Sequence, residues 1–82
     1  MTYQIKIQPL RDNVTMPKRQ TEGSAGIDLY AGGDHAIPSG ETRVVSCGFA
    51  MEIPPNMEGQ VRPRSGLSSR GILVHFGTID SD

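Results

Sequence analysis

Glycine and proline recur too often along this chain for a helical bundle to be built from it. Sixteen of the 82 residues are one or the other, ten Gly and six Pro. Each either loosens the backbone or removes a donor. Between them the apolar residues alternate. Tyr3, Ile5 and Ile7 alternate with Gln4, Lys6 and Gln8 before Pro9, which predicts a first strand over 3–8. Residues 11–24 are polar, hold Pro17 and Gly23, and read as a loop. Ile27 and Leu29 alternate with Asp28 and Tyr30, so a short strand is expected over 26–31, ended by Gly32-Gly33-Asp34. A further short strand is expected over 35–38, then a turn at Ser39-Gly40-Glu41. Residues 42–54 are the longest extended candidate, with Gly48 where the apolar parity could shift, as at a bulge, and Pro54-Pro55-Asn56 is a second stop. Val61 begins another strand interrupted by Pro63, and Ile72-Leu73-Val74 is the last apolar run. About six short strands at regular spacing imply an all-β sandwich or barrel-like sheet. No stretch has a sustained helical period, and residues 1–82 read as one domain without repeat or linker.

Composition narrows the function. At 35% apolar, the chain is too hydrophobic to be disordered. Its formal net charge of −1 gives no global field toward nucleic acid or a membrane surface, so direct nucleic-acid or membrane binding is not expected. The single cysteine, Cys47, rules out an internal disulfide. With no Cys-x-x-Cys and two His, the composition argues against a Cys/His zinc site. There is no apolar run of about 18 residues and no signal-peptide core at Met1–Lys6, so the expected compartment is the cytoplasm. A chain this short buries only about 60% of its unfolded surface, which makes association a natural remedy. The sequence stops at Thr78-Ile79-Asp80-Ser81-Asp82, just past an apolar run. An edge left there is unprotected, and a truncated form of a longer chain is expected.

Three segments could carry chemistry. No acidic residue lies between Glu58 and Asp80, an interval that holds Arg62, Arg64 and Arg70. Within it, Arg62-Pro63-Arg64-Ser65-Gly66-Leu67-Ser68-Ser69-Arg70-Gly71 suits an oxyanion. Arginine offers a planar fork, the serines offer hydroxyls, and Gly66 allows close backbone approach. The same segment also reads as a solvated loop. Asp28 is either a solvent-facing strand residue or a carboxylate that holds a metal or its water shell. Asp80 is either a turn residue or a carboxylate that orients and deprotonates a water. His75 could be a ligand or base, or simply structural. Cys47 reads as a small buried hydrophobe, and Met16, Met51 and Met57 as filler.

Taken together, Ala25-Gly26-Ile27-Asp28-Leu29-Tyr30-Ala31, Pro63-Arg64-Ser65-Gly66-Leu67-Ser68 and Gly77-Thr78-Ile79-Asp80-Ser81-Asp82 resemble the trimeric dUTP diphosphatase (dUTPase) family. They look like its first three motifs, in order and at about its spacing. The short Ser68–Phe76 connection looks most like phage-type members, which would put the protein in a host cytoplasm. Deoxycytidine triphosphate deaminases share the fold and a similar Arg-Ser motif, but the first and third segments fit dUTPase better. The resemblance implies an all-β distorted jelly-roll (β-clip) subunit, incomplete in this chain, that forms a threefold trimer with active sites between subunits. It implies hydrolysis of dUTP to dUMP and pyrophosphate with Mg²⁺. By resemblance, Asp28 orients Mg²⁺-bound water, and Arg64, Ser65 and the Gly66 backbone hold the phosphates. Asp80 is the base, and the Gly77, Thr78 and Ile79 hairpin backbone reads the uracil edge beside the deoxyribose.

The chain also departs from the family pattern. The aromatic that follows the third motif, the fourth motif and the Gly-rich fifth motif are not in the sequence. Val74-His75-Phe76 carries no Asn. Weak or no turnover by this chain alone is therefore expected. The alternatives are a non-catalytic nucleotide-binding or regulatory interaction module derived from a dUTPase, and a relic or fragment held together by association.

Overall fold

The computed structural model describes residues 3–82. Regular structure is sparse and extended. Strand β1 covers Lys6–Pro9, β2 covers Phe49–Glu52, β3 covers Gly59–Val61 and β4 covers Gly77–Ile79. A single helical turn, α1, spans Ser65–Ser68. Strands β1 and β2 form one two-stranded sheet, and β3 and β4 form another. The class is all-β, as the alternating pattern requires. No helix among the described residues is long and apolar enough to cross a membrane.

The chain divides into two compact units. One comprises Met1–Lys6 and Met51–Asp82, the other Ile7–Ala50. In the first, β3 and β4 run antiparallel, with Gly59 opposite Ile79, Gln60 opposite Thr78 and Val61 opposite Gly77. Alternation puts Val61, Gly77 and Ile79 on the half-buried face and Gln60 and Thr78 in solvent. Ile53 is the one buried hydrophobic residue among those described, 6% exposed. Glycine at 59 lets it in: a Cβ there would stand 3.2 Å from Ile53 Cδ1 and 3.3 Å from Ile79 Cβ. Burying one such side chain contributes about 1.5–3 kcal/mol.

The second unit is built differently. Lys18 and Asp28 form an isolated antiparallel bridge. The Leu10 amide donates to the Gly48 carbonyl at 2.9 Å, and the Gly32 amide donates to the Ser46 carbonyl at 2.7 Å. Gly48 is buried and has φ +79°, the left-handed region that glycine enters without strain. Val45, Cys47, Phe49, Met51 and Ile53 keep one inward parity across Gly48, so the parity shift expected there does not occur, and β2 starts at the next residue.

Several expected strands are shorter or missing. The first starts at Lys6 rather than Tyr3, and 42–54 contracts to Phe49–Glu52. Residues 26–31 contribute only the Asp28 bridge, and 35–38 and 72–74 form no strand. The physical reason is pairing. Alternation makes a segment suitable for a sheet, but a strand exists only where a neighbour accepts its backbone bonds. The apolar faces of the unpaired segments stay open. Ile27 is 39% and Leu29 40% exposed, while Asp28 between them is half-buried. Cys47, expected to be buried, is half-buried. The short helix was not expected from the pattern; it forms because the turn after Pro63 closes on itself, with the Ser68 amide donating to the Arg64 carbonyl at 2.9 Å.

Candidate functional site

The phosphate-type segment leaves β3 through Arg62 and Pro63 and turns at α1. Arg64 stands at the N-cap with extended backbone (φ −86°, ψ 136°), and its side chain makes no capping bond. Arg64, Ser65 and Gly66 are all exposed. A Cβ on Gly66 would meet nothing within 4 Å, so no part of the chain itself demands glycine there. The space left is open to an approaching group. The serines are not equivalent. Ser69 Oγ donates to the Gly66 carbonyl at 2.8 Å and is committed to the turn. Ser68 Oγ is buried and has no hydrogen-bond partner. Arg62 and Arg70 are exposed on either side, so the segment is strongly cationic.

Gly77, Thr78 and Ile79 are the residues of β4. They lie opposite β3 across a connection that includes α1, so the expected hairpin is a wide one. Glycine at 77 faces Val61, whose Cβ would be 3.6 Å from an added Cβ. Asp80 follows directly, exposed, in an open depression lined by Asn56, Met57, Glu58, Asp80, Ser81 and Asp82. Glu58, Asp80 and Asp82 line it without forming a cluster that could hold a metal ion, and Asn56 has φ +64° at the turn where the Met57 amide donates to the Pro54 carbonyl at 3.2 Å. Glu58, Asn56 and Asp82 were not singled out from sequence. Pro54-Pro55-Asn56 signalled a turn, but nothing local said that this turn would face Asp80.

The antiparallel register sets the ends of the ribbon apart. Val61 lies beside Gly77, so Arg64 departs at the start of β4. Asp80 departs at its other end, beside Gly59. The structure thus brings Asp80 together with Glu58 and Asp82, and does not bring Arg64, Ser65 or Gly66 to that depression. Asp28 belongs to the other unit, its amide donating to the Lys18 carbonyl at 2.8 Å and its carbonyl accepting at 3.1 Å. His75 is exposed between Val74 and Phe76 and is not among the residues of the depression.

These features define an all-β chain that carries a cationic serine-arginine turn and, separately, a carboxylate at a strand end. A sequence model of the dUTPase family matches residues 12–82. The chain belongs to the dUTPase family. It is 51% identical over 70 residues to a deoxyuridine 5′-triphosphate nucleotidohydrolase of Anaeromyxobacter, covering 82% of this chain and 48% of that one. It is 42% identical over 81 residues to the protein of that name from Clostridioides difficile, covering 95% and 57%. It is 44% identical over 66 residues to the one from Vaccinia virus, covering 80% and 45%. The chain therefore spans about half the length of the curated relatives it matches. No solved structure matches it.

Proposed function

We propose that this protein acts on dUTP, converting it with water to dUMP and pyrophosphate. The observation that carries the reading is the family match over residues 12–82, which takes in all three motifs together. Each motif alone has an ordinary structural explanation. In combination they supply a cation for the phosphates, a carboxylate for water and backbone groups for a base.

The roles are those the family resemblance implies, and each fits the chemistry of its residue. The Arg64 guanidinium pairs with phosphate oxygens, and the Ser65 hydroxyl and Gly66 N–H add donors. Asp80 accepts a proton from the water that attacks the α-phosphorus. The bond from that phosphorus to the bridging oxygen breaks, and pyrophosphate leaves with the electron pair. The backbone of Gly77, Thr78 and Ile79 offers hydrogen bonds to the uracil edge. Mg²⁺ is the cofactor of this reading. No three His, Cys, Asp or Glu side chains gather among the described residues, so a protein-only cage is not available. Magnesium carried on a triphosphate needs none, because one carboxylate and water suffice beside the phosphates. Asp28 is the residue that would orient its water. When bound, the ion neutralises charge on the phosphates.

The ribbon geometry bears on how such a site is assembled. Arg64 and Asp80 leave opposite ends of β3–β4. A site between subunits, as in the trimer that the family resemblance implies, need not draw both from one copy. Ile72, Leu73 and Phe76 are 55%, 74% and 75% exposed and offer apolar surface for association.

The test is pyrophosphate release from dUTP with Mg²⁺ at high protein concentration. Asp80→Asn is expected to lower it by about 10²–10⁴-fold, the range for a positioned general base. Mixing Asp80→Asn with Arg64→Ala is expected to restore part of the rate if copies share sites. Wild-type rates in Asp80→Asn would refute the assigned base. A folded parent chain that releases no pyrophosphate would favour a binding module over an enzyme.

A further inference from the structure

We propose that Arg11 is a positioning residue that fixes the segment bearing Asp28, a proposal that rests on the reading of Asp28 as the orienter of a metal-bound water. The Arg11 guanidinium donates from Nη2 to the carbonyl of Gly32, four residues beyond Asp28. The Gly32 amide is bound in turn to the Ser46 carbonyl at 2.7 Å. A Cβ at Gly32 would run into the Arg11 guanidinium and lie 2.8 Å from the Ser46 carbonyl oxygen. The Ser46 carbonyl, as backbone, is the contact that favours glycine at 32, while the guanidinium is the end of a flexible side chain laid over it.

The same guanidinium also lies against Gly48. A Cβ there would stand 3.0 Å from Arg11 Nε and 3.0 Å from Val14 Cγ2. Gly48 is tied back to the Arg11 region by the Leu10 amide, and its own amide donates to Ser46 Oγ at 3.0 Å. One arginine plane thus bridges two glycines that are remote in sequence, and Ser46 links the same two. At its other end, the Asp28 segment is held by the paired backbone bonds with Lys18. Residues 28–32 are therefore anchored twice, once at Asp28 itself and once through Arg11 and Ser46. Freeing the second anchor lets the segment pivot on the first. Arginine suits the post because its flat fork can cover a glycine while it donates; lysine keeps only a point charge and a donor.

Two readouts on the full 82-residue chain test this, with Arg11→Ala and the milder Arg11→Lys. Amide hydrogen exchange, taken without ligand, reads the anchor. The Gly32 amide is expected to exchange about tenfold faster in Arg11→Ala, with the β3–β4 amides unchanged and Arg11→Lys in between. Calorimetric titration with dUTP over a range of Mg²⁺ reads the role. The half-saturating Mg²⁺ concentration is expected to rise about three- to tenfold, while affinity at saturating Mg²⁺ changes less than twofold. Unchanged Gly32 exchange would overturn the anchor. Faster exchange with an unmoved Mg²⁺ dependence would confine Arg11 to stability and overturn the positioning role. A parent chain that binds no dUTP at any Mg²⁺ concentration would overturn the reading of Asp28 and the role with it. That failure is told apart from failure of the anchor because the exchange experiment contains no ligand. If Arg11→Ala does not fold, Arg11→Lys gives the same two readings at smaller amplitude.

Discussion

The two units of this chain are held by different forces. The unit containing Met51–Asp82 gathers side chains around Ile53, with Gly59 and Ile79 against it. The unit Ile7–Ala50 buries no large hydrophobic residue among those described. It is closed by backbone hydrogen bonds at Lys18–Asp28, Gly32–Ser46 and Leu10–Gly48, and by the Arg11 guanidinium. Packing by side chains weakens in proportion to the volume removed. A closure onto glycine has almost no tolerance, because the first added carbon already collides. The candidate residues are split in the same way. Arg64, Ser65, Gly66 and Asp80 depend on the packed unit, and Asp28 depends on the hydrogen-bonded one.

That contrast can be tested by substitutions on each side. Ile53→Ala is expected to cost the most, about 2–4 kcal/mol, because it empties the one buried hydrophobic position among the described residues. Urea unfolding measures the loss, and exchange should accelerate first at the β3–β4 amides. Equal acceleration across residues 7–50 would break the distinction between the units. Gly48→Ala is next, at about 1–3 kcal/mol, from a strained positive φ and two 3.0 Å contacts. Its signature is faster exchange at Leu10 and Gly32 with β3–β4 spared. The smallest effect is expected from Lys6→Ala. Its ammonium is 3.8 Å from Glu52 Oε1, and the two side chains are 75% and 69% exposed. Such a pair contributes a few tenths of a kcal/mol at most. The urea midpoint should barely move, and any shift should vanish at about 1 M salt, where screening acts within about 3 Å.

Much of this is legible in the sequence. The breaks at Pro9, Gly32-Gly33 and Pro54-Pro55 bound the extended segments, and alternation identified the all-β class. A strand at Val61 is legible, but it runs Gly59–Val61 and ends where it was expected to begin, and no parity shift accompanies Gly48. Residues 26–31, 35–38 and 72–74 were overestimated because alternation reports which face would be buried, not whether a partner strand is present. The motifs at 25–31, 63–68 and 77–82 were visible as sequence. The company Asp80 keeps with Glu58 and Asp82, and the closure of Arg11 on Gly32 and Gly48, were not. Those contacts join residues far apart along the chain, and no local pattern encodes them.

The sequence by itself determined the all-β class, most turn positions and the three motifs that resemble those of the dUTPase family, because φ preferences, alternation and short spacings are local properties. Only the tertiary structure decided which of the alternating segments became strands. It also decided that Arg64 and Asp80 leave opposite ends of one ribbon, since Val61 pairs with Gly77 and Gly59 with Ile79. The physical reason is that a strand register is a relation between two segments. It follows from the backbone bonds they exchange and from the side chains they bury jointly, and neither segment carries that information alone.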